Sequence, residues 1–214
     1  MPRTIRPELL DALSPHHPDA LHNRRDLRLT NRLMGNHRWF RRIFPARVAR
    51  NERVLEIGAG TGELALQLVN RGYAIDALDL WPPPEDWPPE RRWHVEDLRT
   101  FSRYDEYPVI IANLILHQFQ DAELAALGAQ WRATARVIMA CEPGRRRFSQ
   151  QLYRAAGPLF GANHVSMHDA HVSIDAGFRD DELPRVLGLQ PAAWDVVVDT
   201  TLLGAYRLIA VRRP

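Results

Sequence analysis

A glutamate followed by alternating glycines, Glu56-Ile-Gly58-Ala59-Gly60-Thr-Gly62, is the most informative chemistry in this 214-residue sequence. Glycines permit positive φ and let a ligand approach the backbone, while a following helix start offers free N–H groups and a positive dipole end. A dinucleotide fingerprint would need its third glycine three positions after the second. Glu63 stands there, which disfavours a nicotinamide or flavin site. All 28 basic residues are arginine, so the lysine of a P-loop and a lysine Schiff base are both excluded. Further along, Asp79, Asp97 and Asn113 each follow a short apolar run.

A second group is His164, His168, Asp169 and His171. On a helix the three histidines would share a face, and a zinc-like cluster would be conceivable. The stretch His171-Val-Ser-Ile-Asp-Ala-Gly-Phe looks extended, however, and no HExxH pattern accompanies it. The expectation is therefore no metal, with these histidines and His117 as candidates to handle an acceptor proton, since imidazole titrates near neutrality. Cys141 is the sole cysteine and lies in an apolar strand, which excludes an intrachain disulfide and reads as a small core residue.

These residues need elements to position them. Residues 1–50 read as a helical N-terminal cap, punctuated by Pro7, Pro15, Pro18 and Pro45, with Leu27, Leu29, Leu33, Met34 and Phe40 spaced helically among arginines. From residue 51 to 214 strands alternate with helices. VLEIG, YAIDALDL, RWHVEDL, PVIIANLIL and RVIMACEPG are strands, and ELALQLVNRG is a helix ended by Gly72. DAELAALGAQWRATA is a helix with Asp121 as N-cap. WPPPEDWPPE holds five prolines in ten residues and must be an exposed loop. Residues 144–192 form an insertion, and WDVVVDTT and AYRLIAVRR close the chain as an antiparallel pair. Together these predict an α/β doubly wound, Rossmann-like sheet of seven strands, six parallel and the last antiparallel.

The acid before G-x-G-x-G, with an acid 23 residues on at Asp79, Asp97-Leu98 after the third strand and Asn113 after the fourth, resembles class I S-adenosylmethionine-dependent methyltransferases over about residues 53–142. The resemblance implies that Glu56, Gly58, Ala59, Gly60, Asp79, Leu80, Asp97, Leu98 and Asn113 hold S-adenosylmethionine (SAM). Within that pattern Asp79 would take the ribose hydroxyls, Leu80 and Leu98 the adenine faces, and Asn113 the methionine end. The segment from Asp26 to Trp39, with Asn31-x-x-Met34 before a basic, Trp-containing stretch, is similar to the N-terminal signature of quinone-biosynthesis C-methyltransferases. There it implies a cap over the cofactor, with Asn36 and Arg38 as candidates to reach the methionine carboxylate or the acceptor. Arg24 to Trp39 combined with Asp169 to Phe178 also resembles small bacterial methyltransferases linked with type III polyketide biosynthesis.

The expected function is methyl transfer to a hydroxyl or activated carbon of a small aromatic or polyketide-like metabolite. Absence of proline in Asn113-Leu-Ile-Leu disfavours adenine and amide N-methylation, and the lone Cys141 disfavours cytosine C5 transfer. Residues 1–53 carry 12 arginines against 5 acids, a surplus that keeps an RNA or protein methyltransferase as the alternative, beside a non-catalytic cofactor-binding scaffold. No RNA-binding module accompanies that arm, so a nucleic-acid partner is disfavoured. No apolar run is long enough to span a membrane, and Met1 to Leu10 has no apolar stretch, so neither a membrane partner nor a secretory signal is expected and a cytoplasmic location fits.

Overall fold

In the computed structural model, which describes residues 2–14 and 17–214, the chain begins with an extended segment followed by two helices, α1 (Pro18–Met34) and α2 (Asn36–Arg47). Proline at the first position suits α1, because its fixed φ is helical and its missing N–H is one the helix cannot use. Gly35, at φ 69°, stops α1 in the left-handed conformation and lets α2 start at once in a new direction. Pro45 does not punctuate: it lies inside α2, within its last turn.

Strands β1 (Arg53–Ile57), β2 (Ala74–Asp79), β3 (Trp93–Val95), β4 (Val109–Asn113) and β5 (Val137–Pro143) alternate with helices α3 (Glu63–Val69) and α4 (Asp121–Thr134). After β5 come α5 (Arg147–Ala156), α6 (His164–Ala176) and α7 (Glu182–Val186), then β6 (Trp194–Thr200) and β7 (Ala205–Arg212). The sheet runs β3-β2-β1-β4-β5-β7-β6. Six strands are parallel, and β7 inserts antiparallel between β5 and β6. The fold class and the antiparallel last strand are as the sequence predicts.

Both faces of the sheet are covered, which explains the apolar strands. On one face Leu55, Ile57, Ile110, Ile138 and Ala140 pack with Trp131, Tyr107 and Tyr206. On the other, Val54, Ile75, Val109, Ile111, Val137, Met139 and Cys141 pack with Phe40, Phe44, Leu64 and Leu68. The buried Cys141 is thus a core residue, its thiol pushed up to about 12 by burial.

Three local expectations give way. The N-cap of α4 is Gln120, not Asp121, and its N–H donates to the Glu123 carboxylate. The fourth strand stops at Asn113, because Leu114 takes φ 60° and turns the chain out of the sheet. Most consequentially, the stretch from His171 that looks extended is the second half of α6. The Asn163 side chain caps that helix, and burial of Val165, Val172 and Ala176 outweighs the weak helix propensity of its Val, Ser and Ile residues.

Candidate active site

Strand order reverses between β1 and β4, and the crevice at their carboxyl ends is where ligands bind in doubly wound sheets. A cavity of about 880 Å³ opens there, near the upper end of the ~300–1,000 Å³ typical of small-molecule sites. The chain leaving β1 makes a tight left-handed turn through Gly58 (φ 61°) and Gly60 (φ 57°). These two glycines have different reasons to be glycine. A Cβ on Gly58 would stand 2.4 Å from Ile115 Cγ1, whereas one on Gly60 would meet nothing within 4 Å. Gly58 lets the loop after β4 pack closely, and Gly60 presents bare backbone to the cavity.

Asp79 ends β2 and braces this turn. One carboxylate oxygen accepts the Gly60 N–H at 2.7 Å, and the other accepts the Trp81 N–H at 2.9 Å. Burial raises its pKa even so. Behind it, Glu56 is almost fully buried in β1, with Oε2 lacking any partner while the residue lines the cavity. Desolvation, reinforced by the Asp79 charge, pushes the Glu56 carboxyl up to about 8. Leu80 and Leu98 line the cavity on either side, and Asp97 lines it while held below the usual carboxylate range by the Arg99 guanidinium. All nine residues that the family resemblance assigns to a cofactor line this one cavity.

The cap closes it from above. Asn31 Oδ1, on α1, accepts from Asn113 Nδ2 at 3.1 Å and from Asn36 Nδ2 at 3.0 Å, tying both cap helices to the end of β4. Asn36 is fully buried and does not border the cavity; Arg38 is exposed and points elsewhere. Between them His37 does border it, accepting from Gln67 and held down to about 4 by burial and Arg41. Arg24 also reaches in, its guanidinium 3.9 Å from the centroid of the Trp81 ring and its charge beside Asp79. No periodicity argument distinguishes 37 from 36 and 38 until the α1–α2 turn fixes the rotation of α2.

Beyond Asn113 the cavity continues under α1, α5 and α6, past Leu27, Ile115, Leu152, Tyr153, Ala170 and Ile174. Its floor is organised by Glu142, a buried acid within the apolar β5, which accepts the N–H groups of Ile115, Leu116 and His117. His117 is buried between two carboxylates: Nδ1 lies 2.7 Å from Glu142 and Nε2 lies 3.2 Å from Glu8. Those partners outweigh desolvation and push the imidazole up to about 9. At neutral pH it is a cation with both nitrogens engaged, which does not suit it to be a general base.

Helix α6 does place His164, His168 and His171 on one face, but that face is the solvent side. None of the three borders the cavity; Ser166, Asp169, Ala170, Ser173 and Ile174 do. Asp169 accepts the backbone N–H groups of Leu9 and Leu10 and the Asn23 amide, so it anchors the N-terminal segment. Among the described residues no group of acids, histidines and cysteine could hold a metal ion.

No protein-family model matches the chain, and no curated protein sequence does. Solved structures do match. The plantazolicin methyltransferase BpumL in complex with S-adenosylhomocysteine (SAH) has a TM-score of 0.65 at 11% identity, covering 93% of this chain and 92% of BpumL. Magnesium protoporphyrin IX methyltransferase ChlM from Synechocystis PCC 6803, with bound SAH, has a TM-score of 0.54 at 14% identity, covering 86% and 83%. This chain has the methyltransferase fold. A third chain of that fold class, from work on converting a disulfide bond into a thioacetal group during echinomycin biosynthesis, matches at 20% identity and TM-score 0.53, covering 76% and 75%.

Proposed function

We propose that the protein transfers a methyl group from SAM to a hydroxyl or activated carbon of a small aromatic or polyketide-like acceptor. One observation carries this: a single cavity joins the open face of Gly60, the braced carboxylate of Asp79, the unpartnered Glu56 Oε2 and Asn113, then continues into an apolar chamber. Backbone N–H groups of Gly60 and Trp81 hold one Asp79 oxygen each, with Leu80 as a further backbone donor, which fixes the carboxylate where two ribose hydroxyls would donate to its remaining lone pairs. Leu80 and Leu98 would flank an adenine, with Asp97 at its amino group. The Gly58-Ala59-Gly60 backbone, Glu56 and Asn113 would hold the methionine part. The bound donor supplies a sulfonium-activated methyl; the chain's residues align it with the acceptor and exclude water. The fold shared with the SAH-bound BpumL and ChlM structures supports the same assignment.

Calorimetric titration with SAH tests it. We expect micromolar binding to the wild type and about 10- to 100-fold weaker binding to Asp79→Ala, the equivalent of ~1.5–3 kcal/mol for hydrogen bonds to a charged group. A folded wild-type sample that binds no SAH overturns the assignment. With binding established, turnover against a panel of phenols and polyketide-like acceptors defines the acceptor.

A further inference from the structure

The far end of the cavity opens at an unusually apolar mouth. Leu27 of α1, Leu152 of α5, Phe160 and Leu203 of the β6–β7 turn all line the cavity, yet each is more than a third exposed. They belong to one rim. Tyr153 hydrogen-bonds Thr30, joining α5 to α1, and Ser149 packs against Gly204, joining α5 to the β6–β7 turn. At the outermost edge stand Leu159 and Leu202, 84% and 85% exposed, neither lining the cavity. Isolated exposed leucines need no explanation, but a contiguous set around a cavity mouth does.

Charge says what covers it. No acid occurs from residue 27 to 51 or from 143 to 168, the two stretches that supply α1's second half, α2, α5 and the turn after it. Arg32 flanks the leucines of α1, and Arg146, Arg147 and Arg154 flank Leu152 of α5, all four exposed; Arg28, also exposed, pairs with Glu63 at 3.6 Å. A rim of protruding Leu and Phe among arginines matches an anionic lipid interface, with apolar tips entering the acyl boundary and guanidinium groups meeting phosphates. A protein seated on the patch would cover the cavity's mouth, whereas a lipid surface leaves it facing a reservoir of apolar molecules.

We infer that this mouth docks on an anionic bilayer surface, so that the acceptor enters from the interface and carries an apolar tail. The docking is peripheral: among the described residues no helix is long and apolar enough to cross a membrane. The acceptor's route rests on the methyltransferase assignment, whereas the docking does not.

Vesicle co-sedimentation tests it with the full chain. Vesicles of mixed phosphatidylglycerol and phosphatidylcholine should bind the protein about tenfold or more tightly than pure phosphatidylcholine, and raised salt should release it. The double variant Leu159→Glu, Leu202→Glu should lose that binding by about tenfold while keeping its thermal midpoint and SAH affinity, since both side chains are exposed and neither lines the cavity. Failure to sediment with phosphatidylglycerol vesicles overturns the inference, as does sedimentation that the double variant leaves intact. So would tighter binding of a short single-stranded RNA that the double variant leaves intact, or a dimer that it converts to monomer. Absence of SAH binding by a folded wild-type protein that still binds phosphatidylglycerol vesicles would overturn the methyltransferase assignment alone.

Discussion

Replacing Glu8 by Gln removes one of the two carboxylates that enclose His117 while keeping the shape. Glu8 accepts from His117 Nε2 at 3.2 Å, from Gln118 Nε2 at 3.1 Å and from the Ser173 hydroxyl, so it fastens the N-terminal segment to the loop after β4 and to α6. His117 has its folded pKa raised to about 9 from the ordinary 6.5: desolvation lowers it, and the hydrogen bonds and charges of Glu142 and Glu8 more than offset that. Glu142 is the closer and more buried partner, so removing the Glu8 charge should cost near the low end of what a hydrogen bond to a charged group contributes, about 1–2 kcal/mol. Because the folded pKa is raised, this stabilisation is complete below about pH 6.5 and fades as pH climbs through 9. Glu8 has its own pKa lowered, so its contribution is complete above about pH 4.5, the ordinary value, and is lost only as pH falls through the lower folded value. Thermal unfolding of wild type and Glu8→Gln across pH 4 to 10 should therefore show a gap of ~2–8 °C between about pH 5 and 8. That gap should close above about pH 9 and start to narrow below about pH 4.5. A gap of constant size across the range, or none at neutral pH, would refute the charged imidazole between two carboxylates.

The two glycines of the β1 turn should separate stability from binding. Gly58→Ala forces a Cβ onto Ile115 at positive φ and should destabilise by ~2–3 kcal/mol in chemical denaturation. Gly60→Ala carries only the left-handed penalty of ~1–2 kcal/mol, yet its methyl enters the cavity and should weaken SAH binding at least tenfold in calorimetry. Glu56, held protonated by burial up to about 8, should release close to one proton at pH 7 when a ligand bearing a cationic ammonium binds; titrations in buffers of different ionisation enthalpy read this, and Glu56→Gln should abolish it. Without ligand, folded Glu56 keeps a proton that the unfolded chain loses above about pH 4.5, so wild-type stability should decline from there to pH 8 and the decline should be smaller in Glu56→Gln. Finally, alanine at His164, His168 and His171 together should change methyl-transfer rates less than about twofold, because these side chains face solvent; a loss of tenfold or more would place one of them in the chemistry.

What could be inferred beforehand divides along physical lines. The sheet and its glycine turn were legible because strand apolarity, positive-φ glycines and strand-end acids are local signals, and local signals survive folding unchanged. The acceptor end was not, because it is built by contacts between elements far apart in sequence. Whether a histidine on α6 meets the cavity or the solvent depends on the rotation of that helix, which Val165, Val172 and Asp169 fix by packing against the body. The chemically suggestive i, i+4, i+7 histidines are on the face left over. The same holds for the cap: Asn36 and Arg38 stand out by type, but the Gly35 turn rotates His37 toward the cavity between them. One sequence signal did mark the hidden half of the site. Glu142 is an acid in an otherwise apolar strand, and a buried carboxylate must collect donors or lose its charge. It collects three N–H groups and His117, and His117 in turn captures Glu8 from the opposite end of the chain. The N-terminal segment is therefore fastened beside the apolar part of the cavity by a buried charge relay that begins in the sheet, so the seating of that segment and the integrity of the cavity floor depend on the same histidine.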